Sequence, residues 1–82
     1  MVDLQTAYRI ACKNRGMRKC IGDMETNREY LFNLVPDDFD DDYSMLPRAA
    51  VSKDDGKYRD LVVAHNLDYV YSAKKRSLDD EI

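Results

Sequence analysis

The apolar positions of this chain change period along its length. In residues 3–15, Leu4, Ala7, Tyr8 and Ala11 recur at the i, i+3, i+4, i+7 spacing that lays side chains on one face of a helix. Asp3 stands where an N-cap is needed, and Gly16 where a left-handed stop is needed. Lys13 and Arg15 suit the negative end of the helix dipole. From residue 18 to 35 the period shortens to two. Tyr30, Phe32 and Leu34 alternate with Glu29, Leu31 and Asn33, which predicts a strand, and residues 19–25 supply its partner. A two-residue turn at Thr26-Asn27 would set Glu25 opposite Arg28 and Ile21 opposite Phe32. A three-residue turn would oppose Glu25 and Glu29, two like charges, so the pairing favours the shorter turn.

Val35-Pro36 ends that strand, because proline cannot continue a ladder in mid-sheet. An acidic stretch runs on to Pro47. Beyond it, residues 48–52 and 58–64 flank Lys53-Asp54-Asp55-Gly56-Lys57, which reads as a type I turn with Gly56 in the positive-φ bulge position. Leu61-Val62-Val63 is the expected buried centre of the returning strand. The C-terminal part fits two periods. Leu67, Tyr69, Tyr71 and Ala73 would line a strand, whereas Leu67, Val70, Tyr71, Lys74 and Leu78 would line a helix. Asn66 as cap, Asp68 in the first turn and Lys74-Lys75-Arg76 near the end favour the helix. Residues 79–82 are expected to fray. The order predicts an α+β fold: an N-terminal helix, an antiparallel four-stranded sheet of two hairpins joined by an acidic loop, and a C-terminal helix. One sheet face would carry helix, and the other would meet water or a partner.

At 82 residues the chain is one domain, 1–82, and at 44% hydrophobic it can build a modest core. No run approaches the roughly 20 apolar residues of a membrane span. Met-Val-Asp-Leu-Gln lacks the basic and apolar regions of a signal peptide. Cys12 and Cys20 fit reduced thiols. The chain therefore reads as cytoplasmic, with no membrane partner.

Charge sharpens the picture. The net charge is −3, but residues 1–20 carry five bases and one acid, and residues 21–47 carry one base and eight acids. Residues 48–82 balance. Such a dipole can orient an encounter with a charged partner. The acidic extreme is Asp37, Asp38, Asp40, Asp41 and Asp42, interrupted by Phe39 and followed by Tyr43.

Asp38, Asp40 and Asp42 match positions 1, 3 and 5 of a Ca²⁺-binding EF-hand loop. The sixth position is Tyr43 rather than glycine and the twelfth is Ala49 rather than glutamate, so no specific metal site is expected. Cys12, Cys20 and His65 lack the number and spacing of zinc ligands. No nucleophile motif surrounds either cysteine, and the carboxylates lie in a run rather than across a cleft. No catalytic residue and no cofactor is assigned. Arg9, Lys13, Arg15, Arg18 and Lys19 form a basic patch, but the acidic balance, two Phe and no Trp argue against nucleic acid.

The stretch Ala50-Val51-Ser52-Lys53-Asp54-Asp55-Gly56-Lys57-Tyr58 resembles the strand, Lys-Asp-x-Gly-Lys, strand hairpin of PepSY-like domains. It also looks like small bacterial immunity proteins in which a helix precedes such a sheet. The resemblance covers about nine residues and the element order. It implies a non-catalytic α+β domain of bacterial type that binds or inhibits another protein. The expected working surface is Asp37, Asp38, Phe39, Asp40, Asp41, Asp42 and Tyr43, facing a protein partner with a basic surface. Phe39 and Tyr43 serve either as core plugs or as partner anchors, according to their burial. The alternatives are a small Cys-dependent enzyme or redox domain, and a nucleic-acid accessory using the basic N-terminal helix.

Overall fold

The computed structural model describes residues 1–40 and 46–76, the last three by their backbone alone. Helix α1 spans Leu4–Arg15. Strands β1 (Lys19–Glu25), β2 (Glu29–Val35), β3 (Arg48–Ser52) and β4 (Tyr58–Leu61) follow. A 3-10 turn (Val63–His65), helix α2 (Leu67–Ser72) and a short strand β5 (Lys74–Arg76) complete the order. The fold is α+β as the sequence predicts. Its two hairpins form the antiparallel sheet, and β5 extends it on the far side of β1 to give the order β4-β3-β2-β1-β5.

Helix α1 forms where its signals agree. The Asp3 carboxylate accepts the Thr6 amide at 2.8 Å, and Gly16 takes φ 71° with its N–H on the Cys12 carbonyl. Its buried face, Leu4, Ala7 and Ala11, packs on Phe32, Leu34, Ala49 and Val51. The alanines on both sides remove the bulk that would hold helix and sheet apart. Tyr8 completes the contact, its ring meeting Phe32 edge-on at 5.7 Å.

The first hairpin departs from the predicted pairing. Glu25 stands opposite Tyr30 rather than Arg28, and Asp23 rather than Ile21 stands opposite Phe32. Thr26 is the cause. Its amide donates to the Glu29 carbonyl at 2.8 Å, and its hydroxyl accepts the amides of Arg28 and Glu29 at 3.2 and 3.0 Å. The turn therefore centres on Asn27-Arg28, one residue later than expected. A bulge between Cys20 and Asp23 takes up the extra residue and returns Cys20 to the α1 face, opposite Leu34.

The second hairpin forms as predicted at its turn, with Gly56 at φ 72°. Its strand is shorter. The ladder ends at Leu61, Val62 is exposed and Val63 begins the 3-10 turn, so the expected Leu61-Val62-Val63 centre reduces to Leu61. Asn66 stands at the N-cap of α2 as expected and its carbonyl accepts the Val70 N–H at 2.9 Å, but its side chain makes no capping bond, because its Nδ2 donates to the Val62 carbonyl at 2.8 Å. Both C-terminal periods are used in turn. Residues 67–72 are helix, the helix closes through the Ala73 N–H on the Val70 carbonyl, and Lys74-Lys75-Arg76 pairs with Glu25, Met24 and Asp23. Those three basic residues are a strand, not a helix end. Leu78 and residues 79–82 lie outside the described residues.

The expectation of a wet second sheet face is also corrected. Val70 of α2 is buried against Leu31, Ala50 and Leu61, with Met24, Val63, Tyr69 and Ala73 packed around them. On this face the carboxylate of Glu29 is nearly buried. Arg59 donates to it twice, at 2.7 and 2.8 Å, and the Tyr69 hydroxyl donates at 2.6 Å. Tyr69 in turn meets the Thr26 hydroxyl at 2.9 Å, tying α2 to the first turn.

Two outcomes follow from these contacts. Gly16 and Gly56 both have positive φ, but only at Gly56 would a Cβ lie 3.2 Å from Ile10 Cδ1 and 3.3 Å from Val2 Cγ2. Gly56→Ala is expected to cost more stability than Gly16→Ala, with backbone strain of about 1 kcal/mol common to both. Denaturant midpoints of the two variants check the order. The Arg59 bonds hold the Glu29 carboxyl below its ordinary value of 4.5. A depressed folded value contributes stability above that ordinary pH and loses it as pH falls through the folded value. Glu29→Gln is expected to unfold about 1–2 kcal/mol more easily at pH 7. The gap should narrow in acid below pH 4.5, and urea titrations across pH measure it.

Candidate functional site

The acidic segment leaves the sheet where Val35 pairs with Lys19 and Pro36 ends the ladder. The Phe39 N–H turns back onto the Pro36 carbonyl at 3.0 Å, and the Lys19 ammonium donates to the Phe39 carbonyl. The segment is thus pinned by its backbone to the start of β1. Lys19 uses its charge on a carbonyl, which leaves the neighbouring carboxylates uncompensated. Asp37, Asp38 and Asp40 are exposed, and none has an ion-pair partner among the described residues. Phe39 is half-buried, so its ring is neither a full core plug nor a free anchor. Asp41, Asp42 and Tyr43 lie outside the described residues.

The predicted basic patch divides in two. Arg15 is withdrawn from it: its guanidinium binds the Asp60 carboxylate at 2.8 Å, the Tyr58 hydroxyl at 2.9 Å and the Pro47 carbonyl at 2.9 Å. Lys19 is committed to Phe39. Arg9, Lys13 and Arg18 remain exposed; Arg9 feels the charge of Asp3, and Lys13 and Arg18 have no acid partner among the described residues. Together with Tyr8, Cys12 and Gly16 they line an open groove of about 570 Å³ on the outer side of α1. The Tyr8 hydroxyl donates to the Arg18 carbonyl. Its burial, and then its bond to Cys12, push the phenol up to about 12. Its three cationic side chains give the groove a positive lining.

Cys20 sits at the bulge, half-buried against the α1 core, and its thiol donates to the Gly22 carbonyl at 3.1 Å. Burial pushes the thiol above its ordinary value of 9.0. The thiolate, which is the nucleophilic form, is therefore scarce at neutral pH. His65 is exposed at the end of the 3-10 turn, on the second-face side of the sheet, away from the α1 face that holds both cysteines. Among the described residues no three His, Cys, Asp or Glu side chains converge as metal ligands. No helix among them is long and apolar enough to cross a membrane.

A second cleft of about 520 Å³ lies over the first turn, lined by Glu25, Thr26, Asn27, Arg28, Lys53, Tyr69 and Ser72. Its inner polar groups are already joined to one another. Lys53 binds Glu25 at 2.7 Å and covers the Tyr30 ring at 5.0 Å, while Thr26 binds Tyr69. This cleft is a set of structural contacts.

Comparison with protein-family models, with curated proteins and with solved structures found no match. The chemistry of the surface is thus read from its own residues. Two of them have roles other than the basic patch in which the sequence places them. Lys19 anchors the acidic segment, and Arg15 serves the sheet rather than the patch. Only the pairing of Lys19 with Val35 would have revealed the first, since it carries the ammonium past Pro36.

Cys20 offers a direct check. In a Cys12→Ser background, native Cys20 is expected to alkylate at least about tenfold more slowly near neutral pH than the same chain in urea. Thiol-labelling rates measure the ratio, and equal rates would contradict the burial described above.

Proposed function

We propose that the chain is a small, non-enzymatic protein-binding domain of inhibitor or immunity type that engages a basic partner surface through residues 37–43. The observation that carries this reading is the set of exposed, uncompensated carboxylates Asp37, Asp38 and Asp40 on a backbone held in place by Lys19. Fixing the segment before contact lowers the ordering cost that a free loop would meet on binding. The carboxylates supply attraction over about one Debye length, roughly 10 Å at 0.1 M salt. The half-exposed ring of Phe39 adds apolar contact in the middle of the charged stretch. The rival reading, thiol chemistry, has less support, because the Cys20 thiol is held protonated by burial.

A lysine- and arginine-rich peptide, titrated against the wild type and an Asp37→Asn/Asp38→Asn/Asp40→Asn variant, tests the reading. The variant is expected to bind about tenfold more weakly at low salt, equivalent to about 1.4 kcal/mol. The difference should fade at high salt, as screening requires. Equal binding of the two proteins at low salt would refute the proposal.

A further inference from the structure

The groove on α1 and the acidic segment are neighbours. Arg18, in the groove wall, immediately precedes Lys19, which holds the Phe39 carbonyl between Asp38 and Asp40. The basic groove and the acidic segment are therefore joined through Arg18-Lys19. Within one chain neither set is fully neutralised: Arg9 is near enough to the capping Asp3 to feel its charge, but Lys13 and Arg18 have no acid partner, and Asp37, Asp38 and Asp40 no basic partner, among the described residues. Elsewhere the chain does pair its charges, as Arg15 with Asp60, Lys53 with Glu25 and Arg59 with Glu29.

We infer that the groove of Tyr8, Arg9, Lys13 and Arg18 receives the acidic segment of a second copy of this chain, in a two-fold dimer. The inference rests on the reading of residues 37–43 as an electrostatic docking element and names a partner for it. Two adjacent patches of opposite sign are self-complementary about an axis passing between them. A rotation of half a turn lays the segment of each copy on the groove of the other, so both contacts form at once. The groove is wide and open, which suits an extended segment, and Tyr8 and Cys12 give Phe39 an apolar floor. Such a dimer would be steered by charge and sensitive to salt.

The β4 edge does not compete for this role. Strand β4 is an outer strand of four residues, Tyr58-Arg59-Asp60-Leu61. A two-fold antiparallel pair must keep each side chain on its own sheet face. The two central registers then oppose Arg59 to the second copy's Arg59, or Asp60 to the second copy's Asp60. Like charges directly opposite disfavour both registers.

Two charge-reversed proteins test the dimer. One carries Arg9→Glu, Lys13→Glu and Arg18→Glu; the other carries Asp37→Lys, Asp38→Lys and Asp40→Lys. Circular dichroism establishes that each is folded, and single Arg18→Glu and Asp38→Lys variants stand in if either triple variant is not. Sedimentation at low salt is expected to show a wild-type dimer whose Kd rises at least about tenfold on going to physiological ionic strength. Each reversed protein alone should be monomeric, and an equimolar mixture should form a one-to-one dimer. A wild type that stays monomeric at low salt, a mixture that does not associate, or assembly beyond the dimer would overturn the inference. The peptide titration separates the two ideas. Carboxylate-dependent peptide binding by a monomeric wild type removes the dimer and leaves the docking element standing, whereas binding indifferent to the carboxylates removes both.

Discussion

The structure depends on burying β2 on both faces with very little covering material. Leu31, Phe32, Leu34 and Val35 have almost no exposure, although the described residues offer only a twelve-residue helix and a six-residue one. The α1 side succeeds because Ala7, Ala11 and Ala49 let the helix settle close to Phe32 and Leu34. The other side succeeds because α2 is short enough to sit over Leu31, Ala50 and Leu61 and then release the chain as β5. Closing that side also encloses the Glu29 carboxylate, which is tolerable only because Arg59 and Tyr69 satisfy it. The charged contact on β2 is a consequence of covering the central strand twice.

That dependence explains what was legible beforehand. Helix α1 could be read because period, cap and stop coincide within sixteen residues. The second hairpin could be read from Gly56 alone. The alternation of Tyr30, Phe32 and Leu34 was equally clear, but it suggested one apolar face, with Leu31 as an exception. In fact Leu31 belongs to a second, smaller core whose other members come from β3, β4 and α2. Glu29 looked like a solvent-facing position because its partners lie thirty and forty residues away. The turn was displaced by the Thr26 hydroxyl, a local group whose competing hydrogen bonds outweigh the cross-strand charge argument that favoured the earlier turn. The C-terminal ambiguity was real, since the helix period holds over residues 67–72 and the strand over 74–76.

The candidate surface was legible in outline and not in detail. Five aspartates in six positions are visible in any reading, and so are five bases in the first nineteen residues. Which of those charges remain available is a tertiary property. Arg15 points back at β4 because α1 crosses that side of the sheet, and there it meets Asp60 and Tyr58. Lys19 reaches Phe39 because its strand partner is the last residue before Pro36. Composition counts these as basic residues of a patch, whereas packing reassigns them to scaffold duties.

The distribution of paired and unpaired charge then bears on purpose. A small domain that needs only solubility gains most from opposite signs mixed over its surface. Here the mixing occurs around the sheet, where Arg15 of α1, Lys53 of the second turn and Arg59 of β4 each find a carboxylate on a strand. At the end where β1 starts and β2 stops, the signs are separated instead, though they lie close enough for Lys19 to touch the acidic segment. Lys19 binds a carbonyl there rather than a carboxylate, so the attraction between the two patches is not discharged inside the chain. A contact that fixes the backbone while leaving the carboxylates outward keeps the surface charged and its shape constant. Those are the two conditions under which electrostatic recognition is fast and specific.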